Sequence, residues 1–162
     1  VCVNPHRVRK DQYDRLWITS RGDHKDVQPQ LVCLSPIANS LLPIAYAPAV
    51  SEMVIIGDSM YFYGSHWSDE TMSNQITYGV FNIHDTTPEE QGVGSSLITD
   101  GTEKNIKIPY GIQVNPYNGD IYITDAKNYV SSGQLHCYSR EGKRKWSVRT
   151  GDIPAHMCFV YR

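Results

Sequence analysis

The sequence predicts an all-β chain assembled from small repeated sheets, and three observations lead there. Pro109-Tyr110-Gly111-Ile112-Gln113-Val114-Asn115, then Gly119-Asp120-Ile121-Tyr122-Ile123-Thr124-Asp125, reads as strand, glycine turn and strand with period-2 patterning. The same grammar occurs near the N-terminus, where Pro5-His6-Arg7-Val8-Arg9 precedes Arg15-Leu16-Trp17-Ile18-Thr19-Ser20, and Pro154-Ala155-His156-Met157-Cys158-Phe159 offers a third start. No segment sustains a helical period. A four-stranded unit recurring every few tens of residues is the signature of a β-propeller.

Taken in order, the first blade is expected over about 3–42, with strands at 5–10, 16–20 and 30–34 and a polar loop at 21–29. The second spans about 43–98, with strands near 52–56, 60–64 and 75–83 and a turn at Gly57-Asp58-Ser59. Residues 65–73 read as the loop between its second and third strands, and 86–106 as a long polar connection with one short strand at 96–98. The third blade is the cleanest, over about 108–148, ending in a hairpin of 135–139 and 145–148. Residues 153–162 begin the next blade. Trp146, just past the Gly142-Lys143-Arg144 turn, is expected to pack between blades.

A blade takes roughly 40–50 residues and a closed ring typically 4–8 blades. The 162 residues hold about three blades plus an additional strand. The chain is therefore expected to be a segment of a larger ring, or to complete one with another copy of itself. Each blade has two apolar faces and can hide them only against neighbours.

Composition narrows the function classes. Fifteen basic residues balance 17 acidic ones without a long run of either sign, which argues against a nucleic-acid footprint. The longest apolar run is far short of a membrane-spanning helix. The chain has 11 Tyr and 3 Trp against 3 Phe. That bias favours rings with a polar tip, which suit half-exposed strands and wet binding faces. The cysteines at 2, 33, 137 and 158 form no C-x-x-C pair, so zinc and redox motifs are absent. Cys33 and Cys137 occupy matching repeat positions and read as small buried core residues.

The loops after second strands are richest in functional side chains. They hold Arg21, Asp23, His24, Lys25 and Asp26 in the first blade, and His66, Trp67, Asp69 and Glu70 in the second. Asp125, Lys127, Asn128 and Tyr129 fill the same place in the third. Equivalent loops cluster on one face of a propeller, so Arg21, Asp23, His24, His66, Trp67, Asp69, Asp125, Asn128 and Tyr129 form the expected site for a polar ligand or sugar. Inner strands offer His6, Glu52 and Gln113, and His156 begins the next one. No ligand spacing for zinc or calcium is visible among them, and a hydrogen-bonded channel histidine is the reading preferred. No Gly-rich phosphate loop, G-x-S-x-G elbow or H-E-x-x-H is present, and the sequence leaves the cofactor unknown.

The stretch P-Y-G-I-Q-V-N with G-D-I-Y-I-T-D-A-K-N at 109–128 resembles NHL and YncE-like propeller repeats, and Gly142-Lys143-x-x-Trp146 resembles the turn-and-Trp feature of quinoprotein-type repeats. With V-N-P-H-R-V-R, I-T-S-R-G-D, T-D-G-T-E-K-N-I-K-I-P-Y-G-I and T-G-D-I-P-A-H, most of the chain is similar to surface-layer-type, YncE-like propellers of gut Gram-negative bacteria. That resemblance implies the C-terminal part of a seven-bladed ring, exported to the periplasm or outer surface of the cell envelope. It also implies a non-catalytic surface-capture role for a polar small molecule, a glycan or a cobalamin-like ligand, with an outer-membrane transporter as partner. A metal-assisted hydrolase or lyase of the lactonase-like type and a structural surface-layer component are the alternative expectations.

Overall fold

The computed structural model describes residues 2–23, 26–27, 29–35, 40–46 (as backbone), 49–68, 70–84 and 95–160. It divides into two compact units, Val1–Ser95 and Ser96–Arg162. Three sheets, each a sequential antiparallel meander, account for nearly all the regular structure. Among the described residues the exception is one 3-10 turn, Thr102–Asn105.

In the first unit, β1 (Pro5–Lys10), β2 (Leu16–Ser20), β3 (Gln30–Ser35) and β4 (Ser40–Tyr46) lie side by side in chain order. The fourth strand falls on a segment with Pro43 in it, across the boundary that the sequence suggests at 42–43. Proline is tolerated there because an edge strand leaves its outward positions unpaired. The second sheet contains β5 (Glu52–Ile56), β6 (Ser59–Ser68), β7 (Ser73–Asn82) and the two-residue β8 (Ser95–Ser96), again in chain order.

Register decides what these two sheets bury. Trp17 pairs with Cys33 and Thr19 with Leu31, so Trp17, Leu31 and Cys33 point to one face. In the second sheet Met53 opposes Phe62 and Met60 opposes Phe81. All seven side chains, with Val50 and Ile83, form one buried core. Trp17 is fully enclosed, edge-on to Phe81 at 6.2 Å, and Phe81 meets Phe62 at 5.9 Å. Removing a ring of that size from a closed core typically costs about 3–5 kcal/mol. Gly79, opposite Phe62, is part of the fit, since a Cβ there would come 2.5 Å from Phe62 Cζ.

Asp11 fixes the β1–β2 turn. Its buried carboxylate accepts from the amides of Tyr13 (2.9 Å) and Arg15 (3.0 Å), from Arg15 Nε (2.7 Å) and from Trp17 Nε1 (2.9 Å). Burial opposes its ionisation, but these donors outweigh the penalty and hold the carboxyl below its ordinary range.

In the second unit, β9 (Pro109–Val114), β10 (Ile121–Asp125), β11 (Gln134–Tyr138) and β12 (Arg144–Arg149) form the third meander. Gly119, at φ 75°, closes the β9–β10 turn as the sequence predicts. Ile112, Val114, Ile121, Ile123, His136 and Tyr138 are buried on one face. Cys33 and Cys137 are both buried and unbridged, and burial pushes the Cys33 thiol up to about 11.

Trp146 and the segment after β12 stand as follows within this unit. Trp146 is 44 % exposed on β12, where all six residues are exposed, and its indole lies edge-on to Tyr122 of its own sheet at 6.0 Å. The fully enclosed tryptophan is Trp17. Residues 154–160 have no ladder partner among the described residues and form no strand. They lie against the face of the third sheet bearing Gly111 and Tyr122, with the Ala155 carbonyl where a Cβ of Gly111 would be and Phe159 5.4 Å from Tyr122.

Candidate functional site

The expected site residues divide between the two units. Of those in the first, His24 and Asp69 lie outside the described residues. Trp67 and His66 stand on a strand where the sequence suggests a loop. β6 and β7 continue as a two-stranded ribbon past the end of β5, whose last partner is Tyr63, with His66 opposite Gln75 and Trp67 opposite Asn74. The ribbon turns at Met72, whose φ of 50° is left-handed. Trp67 is 56 % exposed and Met72 72 %. A largely exposed polar ribbon has no apolar alternation to betray it, and the ladder supplies most of its backbone partners.

Arg21 and Asp23 follow β2. Asp23 Oδ1 accepts from the Val27 amide at 2.8 Å, and Asp23 N–H donates to the Val27 carbonyl at 3.1 Å, so this carboxylate closes its own loop. The Arg21 side chain leaves that loop: its Nη2 donates to His6 Nε2 at 2.6 Å. His6 sits in a β-bulge, since the β1–β2 register slips between Pro5 and Arg7. Arg7 and Arg9, farther along β1, converge on Glu52 of β5. Arg7 Nε is 2.5 Å from Oε2 and Arg9 Nη2 2.9 Å from Oε1. The Glu52 side chain is nearly enclosed, whereas those of Arg7 and Arg9 are 29 % and 40 % exposed. Burial, then the charges of Arg21 and Arg7, lower the His6 pKa, so its imidazole is neutral at pH 7. Its Nδ1 is enclosed without a hydrogen bond, and the Ser51 main chain nearby opposes part of the lowering. The sequence names Arg21, His6 and Glu52 separately, but their meeting depends on a bulge and on sheet packing that no local pattern encodes.

In the second unit, Asp125 and Asn128 hold their own loop. Asp125 is buried, and its carboxylate accepts from the amides of Lys107 (3.1 Å), Ile108 (2.9 Å) and Lys127 (2.8 Å). Asn128 Oδ1 accepts from the amides of Val130 (3.1 Å) and Ser131 (2.8 Å) and from the Ser131 hydroxyl (2.8 Å). The loop forces Lys127 (φ 54°) and Tyr129 (φ 63°) into left-handed conformations. It presents Tyr129, 49 % exposed, edge-on to Tyr110 at 5.7 Å. Asp125 and Asn128 therefore organise the loop, and Tyr129 is the ring it displays.

Among the described residues, no group of three or more His, Cys, Asp or Glu side chains is arranged to hold a metal ion.

No protein-family model and no curated protein matches the chain. A solved structure of a quinoprotein alcohol dehydrogenase-like protein from Bacteroides thetaiotaomicron does, with a TM-score of 0.58 over 88 % of this chain at 13 % identity. The chain spans 33 % of that protein's length. Likeness at such identity concerns the fold alone. Together with three four-stranded meanders, it makes this an all-β chain of the propeller type.

Proposed function

We propose that the chain is a non-catalytic ligand-binding module of a larger, YncE-like propeller at the bacterial cell envelope. The observation that supports this most is Trp67, a large ring displayed on a polar two-stranded ribbon that extends beyond the β5 edge. Burial preferences put tryptophan inside, so one raised on a polar arm suits stacking on a sugar or a planar ligand. The strained loop that displays Tyr129 is a second platform of the same chemistry. The remaining blades of the ring, or another copy of the chain, would cover the exposed face of the third sheet, and an outer-membrane transporter would receive captured ligand. The repeat marks at 109–128 and the surface-propeller marks elsewhere support the envelope setting.

The test is binding of the whole chain to an oligosaccharide array, with cyanocobalamin as a separate probe, for wild type and Trp67→Ala. Loss of an anchoring aromatic costs about 1–3 kcal/mol of binding, while the thermal midpoint is expected to stay within a degree or two because Trp67 lies outside the core. Unfolding of the variant, or unchanged binding to every probe that wild type retains, would remove Trp67 from the site. Turnover of a lactone or uronate substrate on adding calcium or zinc would favour the hydrolase or lyase alternative instead.

A further inference from the structure

The bulged start of β1 gathers more positive charge than the first unit neutralises. Arg7 and Arg21 flank His6, Arg9 follows along β1, and among the described residues Glu52 is the one carboxylate in ion-pair contact with any of these arginines. Glu52 takes Nε of Arg7 and Nη2 of Arg9. The terminal amino groups of Arg7, and Nε and Nη1 of Arg21, have no protein acceptor among the described residues. Arg21 faces an imidazole lone pair where a guanidinium usually finds a carboxylate, although this contact wins no charge neutralisation. The bulge is what places the ring there, because it takes His6 out of the ladder between Pro5 and Arg7. The Arg7 amide is tied to Thr19 Oγ1 at 3.0 Å, and the Arg21 amide to the Asn4 carbonyl at 3.1 Å, so both ends of the cluster are fixed to backbone.

We infer that Arg7 and Arg21, with His6 between them, form the seat of an oxyanion: a sulfate, phosphate or carboxylate group borne by a ligand. Guanidinium forks match the planar or tetrahedral oxygens of such groups, and unused N–H donors at two arginines can each contribute a charge-assisted bond. Glu52 leaves the seat cationic, since it offsets one of three positive charges while locking Arg7 and Arg9 in position. His6 is neutral beside two guanidiniums and gains a proton more readily once an anion screens them; that proton enters at Nε2 and releases Arg21 Nη2 from the ring to the anion, so binding strengthens as pH falls. This goes beyond the Trp67 reading, and the two sites stand on different elements, so either can fail alone.

The experiment is a titration of the whole chain with sodium sulfate, followed through the His6 imidazole resonances, with sodium chloride of matched ionic strength as the blank. Methyl phosphate and acetate, run separately, distinguish the anion class. Sulfate is expected to shift the His6 signals saturably and raise the pH at which they titrate. Arg21→Gln should weaken binding by about tenfold, with Arg21→Lys in between. Arg21 is exposed and takes part in no ion pair among the described residues, so this variant is expected to fold; Arg7→Gln is the second variant, read only if its thermal midpoint is kept. Arg140→Gln, a substitution in the other unit, should bind sulfate as wild type does. In His6→Gln, the rise of affinity on going from about pH 7.5 to about 5.5 should vanish. Shifts equal to those with chloride, or an unchanged affinity in Arg21→Gln, would overturn the inference.

Discussion

At the residue scale, the buried polar groups divide into those with donors and those without. Asp11 and Asp125 are enclosed carboxylates, each met by several N–H groups. His136 is the opposite case: it is buried against Tyr138 with neither ring nitrogen hydrogen-bonded among the described residues. Burial is the main cause lowering its pKa from 6.5; Asp125 opposes the shift, and Arg144 and Lys127 add to it. The unfolded chain takes up this proton near pH 6.5, whereas the folded ring resists it. Stability from this group is thus full above that pH and is lost as pH falls toward the folded value, by at most about 1.4 kcal/mol per pH unit. His6 has the same sign in the other unit. Replacing His136 by Gln is expected to flatten the fall in urea midpoint between about pH 7 and 5; an acid limb as steep as wild type would show that the ring is solvated in the native state.

At the element scale, strands with one dry face were legible and strands without one were not. β2, β9 and β10 show their alternation because one side meets a core. β4, with its proline, and the outer half of the β6–β7 ribbon lack that signal, so 40–46 and 65–68 read as connections although they are paired. The misplacement of Trp67 in a loop has the same origin. Trp146, read as an inter-blade ring, stands on the outer strand of its sheet and is half-exposed within this chain. Side-chain meetings across sheets, such as Arg7 and Arg9 with Glu52, depend on packing rather than on local pattern. The inter-sheet fit in the first unit gives a sharp test. Gly79→Ala would push a methyl into the Phe62 ring, and overpacking of a filled core costs about 1–3 kcal/mol. A lower urea midpoint with an unchanged slope is expected, and Phe62→Leu should partly restore it; an unaltered midpoint would mean the ring has room to move.

At the scale of the whole molecule, the propeller class was legible because repeats are a long-range pattern that survives local misreading. What meets the outer face of the third sheet was not legible, because the partner of a sheet face leaves no mark in the residues that form it. Tyr122, Trp146 and Val148 share one face of that sheet, and the segment 154–160 covers only part of it. Apolar surface of this kind on a blade face marks an interface. Light scattering on the chain alone is expected to show mass rising above that of the monomer with concentration, and Val148→Lys to reduce the rise. A monomeric mass throughout the micromolar range would mean that the segment 154–160 suffices to cover the face.

The three tryptophans occupy three different settings, and this makes the chain its own optical instrument. Trp17 is sealed in a core and donates its indole N–H to a carboxylate, so it should emit toward the blue and resist a collisional quencher such as acrylamide. Trp67, in the same unit, and Trp146, in the other, are open to solvent and should emit toward the red and quench readily. Chains keeping one tryptophan at a time would therefore separate three signals: opening of the first core, occupation of the ribbon, and coverage of the third sheet.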